Sequence, residues 1–100
     1  GFLVEWYVAE MEKIFLIGRV KGDFSDPTAL YDKIKEGFPG IRPEEYFRAC
    51  ELIQKYRFGG IKLQAHELRV LKGITEKFEK CLYQKQHFPG KLKLRYIYVR

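Results

Sequence analysis

The sequence predicts an α+β fold in which a small antiparallel sheet, an N-terminal hairpin plus a C-terminal strand, packs against three helices. Three observations predict it. Between Leu63 and Leu82, the residues Leu68, Leu71, Ile74, Phe78, Cys81 and Leu82 recur at spacings of three and four, which sets them on one stripe of a long helix. Between Lys91 and Arg100, Leu92, Leu94, Tyr96 and Tyr98 alternate with Lys93, Arg95, Ile97 and Val99, the period of a half-buried strand. Phe2 to Val8 and Lys13 to Lys21 are dense in β-branched and aromatic residues, the composition of strands.

In chain order, the first two strands form a hairpin that turns near Glu10–Met11. In the second strand Ile14, Leu16, Gly18 and Val20 share one side, and Phe15, Ile17, Arg19 and Lys21 the other. The turn has no Gly, Asn or Asp, and Val4, Val8, Met11 and Phe15 also fit the spacing of a single helix. The density of tryptophan and valine favours the hairpin. Gly22 to Asp26 then breaks the pattern; Ser25 or Asp26 caps a helix with Pro27 in its first turn, where the missing N–H is no loss. That helix runs to about Glu36, buries Leu30, Tyr31 and Ile34, and ends at Gly37.

Phe38-Pro39-Gly40 is a turn, and the triplet recurs as Phe88-Pro89-Gly90; the flanks differ, so turn chemistry explains it better than duplication. Pro43 with Glu44 and Glu45 opens the second helix, acids at its positive end. Its stripe is Tyr46, Ala49, Cys50, Ile53 and Tyr56; Lys55 and Arg57 sit at its negative end, and Gly59-Gly60 stops it. A short extended piece, Ile61 to Leu63, leads into the long helix, which Gly73 interrupts at a cost of about 1 kcal/mol against alanine.

One hundred residues make a single small domain, 1–100. The chain begins with Gly1 rather than Met, which reads as a fragment or subunit of a larger protein or assembly, or as the remnant of a tag. Apolar runs such as Ile14 to Ile17 are far shorter than the roughly 20 residues a membrane span requires, and no signal peptide is visible. Cys50 and Cys81 read as buried reduced thiols, consistent with a cytoplasmic setting. The absence of Asn excludes N-glycosylation, and one Ser with two Thr leaves few hydroxyl nucleophiles.

No catalytic residue, metal ligand set or cofactor motif is assigned. Glu44 and Glu45 are adjacent on a helix and diverge by about 100°, so they share no site. Cys50, Cys81, His66 and His87 lie at no metal-ligand spacing. Gly59-Gly60 with Lys62 lacks the remainder of a phosphate loop. What stands out is charge: residues 1–50 hold seven Lys/Arg against nine Asp/Glu, residues 51–100 twelve against four, and no acid follows Glu79. Such asymmetry points to an acidic or polyanionic partner.

The functional expectation is a non-catalytic protein-interaction module acting within a larger protein or complex, with a protein partner or a homodimer. Its apolar sheet face would be Phe15, Ile17, Ile97 and Val99, opposite the helices and open to a partner. The alternative is a nucleic-acid-binding domain whose basic patch is Lys85, Lys91, Lys93 and Arg95. Tyr96 and Tyr98 share the core face of Leu92 and Leu94, so that patch offers phosphate contacts without base reading.

Overall fold

In the computed structural model, which describes residues 2–86 with side chains as far as Gln84, the chain is helical throughout its regular elements. Four helices follow one another: α1 (Phe2–Ile17), α2 (Pro27–Gly37), α3 (Pro43–Gly59) and α4 (Ala65–Gln86). Among the described residues there is no strand, so the expected α+β fold with an N-terminal hairpin is corrected to a helical bundle. The expected C-terminal strand, 91–100, lies outside the described residues.

The first 17 residues carry the correction. Val4, Val8, Met11, Ile14 and Phe15 are buried, at spacings of 4, 3, 3 and 1. A period of two would put Ile14 and Leu16 on the same side; Ile14 is 2% exposed and Leu16 73%. Aromatic and β-branched residues disfavour a helix by about 0.5 kcal/mol each. Each large apolar side chain buried in the core contributes about 1.5–3 kcal/mol. Five such burials outweigh the propensity of the whole segment.

The other three helices form where the sequence places them. Asp26 caps α2, its carboxylate accepting from the Ala29 N–H at 3.2 Å with Pro27 next in line. In α3 the Glu45 carboxylate accepts from the Arg42 N–H at 2.9 Å and from Lys77 of α4 at 2.6 Å. Burial pushes its carboxyl up, but these two partners hold it below the ordinary value. Gly60, at φ +63°, closes α3 in the left-handed region. The Phe38-Pro39-Gly40 turn closes with an Ile41 N–H to Phe38 carbonyl bond of 3.1 Å.

α4 runs through Gly73 without a break, against the expected interruption. A Cβ added there meets nothing within 4 Å. Gly73→Ala is therefore expected to raise stability by about 0.5–1 kcal/mol, read as a higher urea midpoint at unchanged slope. A loss of stability would show that the helix bends there.

α4 is the spine. α1 packs along it most extensively, α3 packs on it and touches α1, and α2 rests on α3. Lys77–Glu45 (2.6 Å) and Lys55–Glu67 (2.8 Å) fix α3 and α4 antiparallel. Glu67, 6% exposed, also accepts the Gln64 N–H at 2.9 Å; Lys55 foremost, and then this N–H, hold its carboxyl below the ordinary value. The centre is a trio of rings. Phe15 lies 4.9 Å from Phe78 and 6.1 Å from Phe38, and Phe38 lies 5.3 Å from Phe78, centroid to centroid. Phe24, from the α1–α2 loop, closes on Phe15 at 5.7 Å.

Candidate interaction surface

The expected sites fare differently. Phe15 is fully buried between α1 and α4 and is part of the core, so it cannot belong to an open face. Ile17 is partly buried and packs against the core. With no sheet among the described residues, the apolar sheet face that joined these two to Ile97 and Val99 is not formed by them. Ile97, Val99, Lys91, Lys93 and Arg95 lie outside the described residues; Lys85 is in α4, with its side chain outside the described set.

What the fold exposes instead is the outer face of α1. Large apolar side chains left in solvent include Phe2 (81%), Trp6 (48%) and Leu16 (73%) on that helix, Phe58 (82%) in the last turn of α3 and Ile61 (51%) just beyond its end. α1 thus carries large apolar side chains on both its faces, one set in the core and one in solvent between charged residues, Glu5, Glu10, Glu12 and Lys13. Large apolar side chains on the face opposite the core are the pattern of a helix covered on both sides.

The ion pair between Glu5 and Arg57 (3.0 Å) brings Phe2 and Trp6 to the same end of the bundle as Phe58 and Ile61, while Leu16 lies towards the other end of α1, about 16 Å along the helix from Glu5. Arg57, through this hydrogen bond, holds the Glu5 carboxyl below its ordinary value, and Glu5 in return pushes the Arg57 guanidinium up. Both groups are solvent-accessible, so the pair fixes geometry more than it adds stability. Beside it lies an open groove of about 580 Å³ lined by Glu5, Tyr56, Arg57, Gly60, Ile61 and Lys62. Trp6 packs edge-on against Tyr7 at 5.3 Å, which steadies the half-exposed indole.

Chemically the surface offers apolar area with a charged border and no reacting group. Among the described residues no cluster of three or more His, Cys, Asp or Glu could hold a metal ion, and no helix is long and apolar enough to cross a membrane. Both cysteines are free thiols; burial pushes Cys50 up to about 11, away from reactivity. Tyr46, its neighbour one turn earlier, is buried and donates to the Pro27 carbonyl at 2.6 Å, tying α3 to the start of α2.

Sequence reasoning missed this surface because it had no outer helix face to find. A signal was present all the same: once Val4, Val8, Met11 and Phe15 are given to one face, Phe2, Trp6 and Leu16 fall together on the other. No protein-family model, curated protein or solved structure matches the chain.

Proposed function

We propose that the chain is a protein-interaction module without catalytic activity of its own. It docks through the outer face of α1 and the adjoining end of α3. The observation that supports this is the exposure of Phe2, Trp6, Leu16, Phe58 and Ile61 on a small bundle whose core is already complete without them. Large apolar side chains gathered outside the core on one helix face and the adjoining helix end are the kind of surface that marks an interaction site. Two free cysteines suit a reducing compartment, so we place the module in the cytoplasm.

The test is differential capture from an extract of the source cells, with wild-type chain and a Trp6→Ser/Leu16→Ser/Phe58→Ser variant as baits. All three side chains are exposed, so the variant is expected to keep its circular dichroism spectrum and to melt within a few degrees of wild type. Proteins held by wild type and lost by the variant are the expected result. An identical captured set sinks the reading. Nuclease treatment of the extract addresses the other reading, nucleic-acid binding through the basic half of the sequence. Capture lost to nuclease, and falling with salt by a slope of about −0.9 per phosphate contact on duplex DNA, would favour that one.

A further inference from the structure

The stripe on α1 has a regular form. Phe2, Trp6, Ala9, Lys13 and Leu16 follow one another at spacings of 4, 3, 4 and 3, two heptads of the seam by which helices pair. All five are exposed. Leu3, Glu10 and Ile17 flank the seam on one side; Glu5 and Glu12 flank it on the other. Ala9 at the middle allows close approach of a second backbone. The Lys13 stem can lie along an apolar surface with its ammonium in water.

The flanks decide what sort of helix fits. Residues flanking such a seam face their counterparts across it and set partner choice. Two copies of α1 placed antiparallel would set Glu5 and Glu12 against the same residues of the second copy. Placed parallel, they would set Glu5 against Glu10. Either way carboxylate meets carboxylate. Arg57 on Glu5 (3.0 Å) and Lys13 on Glu10 (3.4 Å) soften this, but both pairs are at the surface and hold weakly; Glu12 accepts the Phe24 N–H at 3.3 Å and interacts with Arg57 only through space. A helix with Lys or Arg beside its apolar stripe meets no such opposition.

We propose that α1 receives an amphipathic helix from a partner protein, apolar along its seam and basic along both borders, which completes a two-heptad pair. The proposal rests on the docking surface described above and specifies its occupant. It runs against the net charge of the chain, +6, which by itself would draw an acidic partner. That opposition makes the test sharp.

The probes are two fluorescein-labelled 18-residue model helices, identical in a leucine seam, one with lysine and one with glutamate at the flanking positions. Binding is read by anisotropy, and location by the emission of Trp6, the sole tryptophan of the chain. The lysine helix is expected to bind about tenfold more tightly than the glutamate helix, with a blue shift of Trp6. Glu10→Lys is expected to narrow that preference severalfold, and Leu16→Ser to weaken the lysine helix without changing it. Equal or tighter binding of the glutamate helix overturns the proposal, as does lysine-helix binding that leaves Trp6 emission unmoved. Sedimentation of the chain alone tests the rival occupant: a dimer abolished by Leu16→Ser, with neither helix bound, means that a second copy fills the seam. If neither helix binds yet the triple variant still loses captured proteins, the occupant is wrong and the docking surface stands. If capture is also unchanged, both fall.

Discussion

Replacing Phe15 by alanine is expected to destabilise the chain by about 3–5 kcal/mol, the range for deleting a fully buried aromatic ring. The expectation follows from the ring's place. It touches Phe78 edge-on at 4.9 Å, Phe38 at 6.1 Å and Phe24 at 5.7 Å, so its loss leaves three rings facing a void. Those neighbours come from α4, the α2–α3 turn and the α1–α2 loop, and cannot all collapse inward at once. A domain of this size has a total stability of about 5–15 kcal/mol, so the variant would retain a fraction of it. Its midpoint of thermal unfolding should fall by roughly 12–40 °C. The sheet arrangement, with Phe15 on an open face, predicts a change within about 0.5 kcal/mol, the ordinary range for a surface substitution. One urea titration of wild type and variant therefore separates the two architectures. Leu16→Ala is the control, since Leu16 is adjacent in sequence and 73% exposed, and should change little.

The same residue shows what could be read beforehand and what could not. In α2, α3 and α4 the apolar spacing, the proline-led starts of α2 and α3 and the terminal glycine of α3 all point the same way; Leu30 and Ile34, Tyr46 and Ile53, Leu71 and Phe78 are buried as expected, while Tyr31, Tyr56, Leu68 and Cys81 are only partly buried. In α1 the local signals disagree. Its ends are rich in Val, Ile, Phe, Trp and Tyr, while its middle, Ala9 to Lys13, consists of good helix formers. Spacing and propensity point opposite ways here, and propensity is the weaker guide when a long partner helix is at hand. α4 supplies the apolar groove that lets α1 form, a contact between residues more than sixty positions apart that no local window contains. The surface is hidden by the same conflict: with α1 drawn as two strands, Trp6 and Leu16 have no common face. Phe58 was legible as apolar and close to a Gly-Gly stop, but its nearness to the start of α1 rests on the Glu5–Arg57 pair, 52 positions apart.

Gly18→Ala is the second large effect, at about 1–3 kcal/mol of destabilisation, and it can be told apart from the usual reason for a glycine at a helix end. α1 closes with a pair of bonds, Val20 N–H to the Phe15 carbonyl (2.8 Å) and Arg19 N–H to the Leu16 carbonyl (3.1 Å). This pairing puts the left-handed residue one place beyond Gly18. The residue there is Arg19, at φ +64°, while Gly18 itself is not left-handed. Gly18 answers to space instead. A Cβ on it would stand 2.8 Å from Phe38 Cζ and 3.3 Å from the Ile14 carbonyl oxygen. Phe38 is fully buried against Phe15 and Phe78 and has little room to yield. Arg19→Gly should act in the opposite sense, removing about 1 kcal/mol of backbone strain against a partly offsetting gain in unfolded-state freedom, for a net stabilisation near 0.5 kcal/mol. The decisive molecule is the double variant Gly18→Ala/Arg19→Gly, which moves the glycine one position along. If glycine served only to end the helix, the double variant would match or exceed wild type. Because Phe38 occupies the space beside position 18, it is expected to remain at least about 0.5 kcal/mol less stable than wild type in a urea titration, and a midpoint at or above wild type would refute the packing account of Gly18.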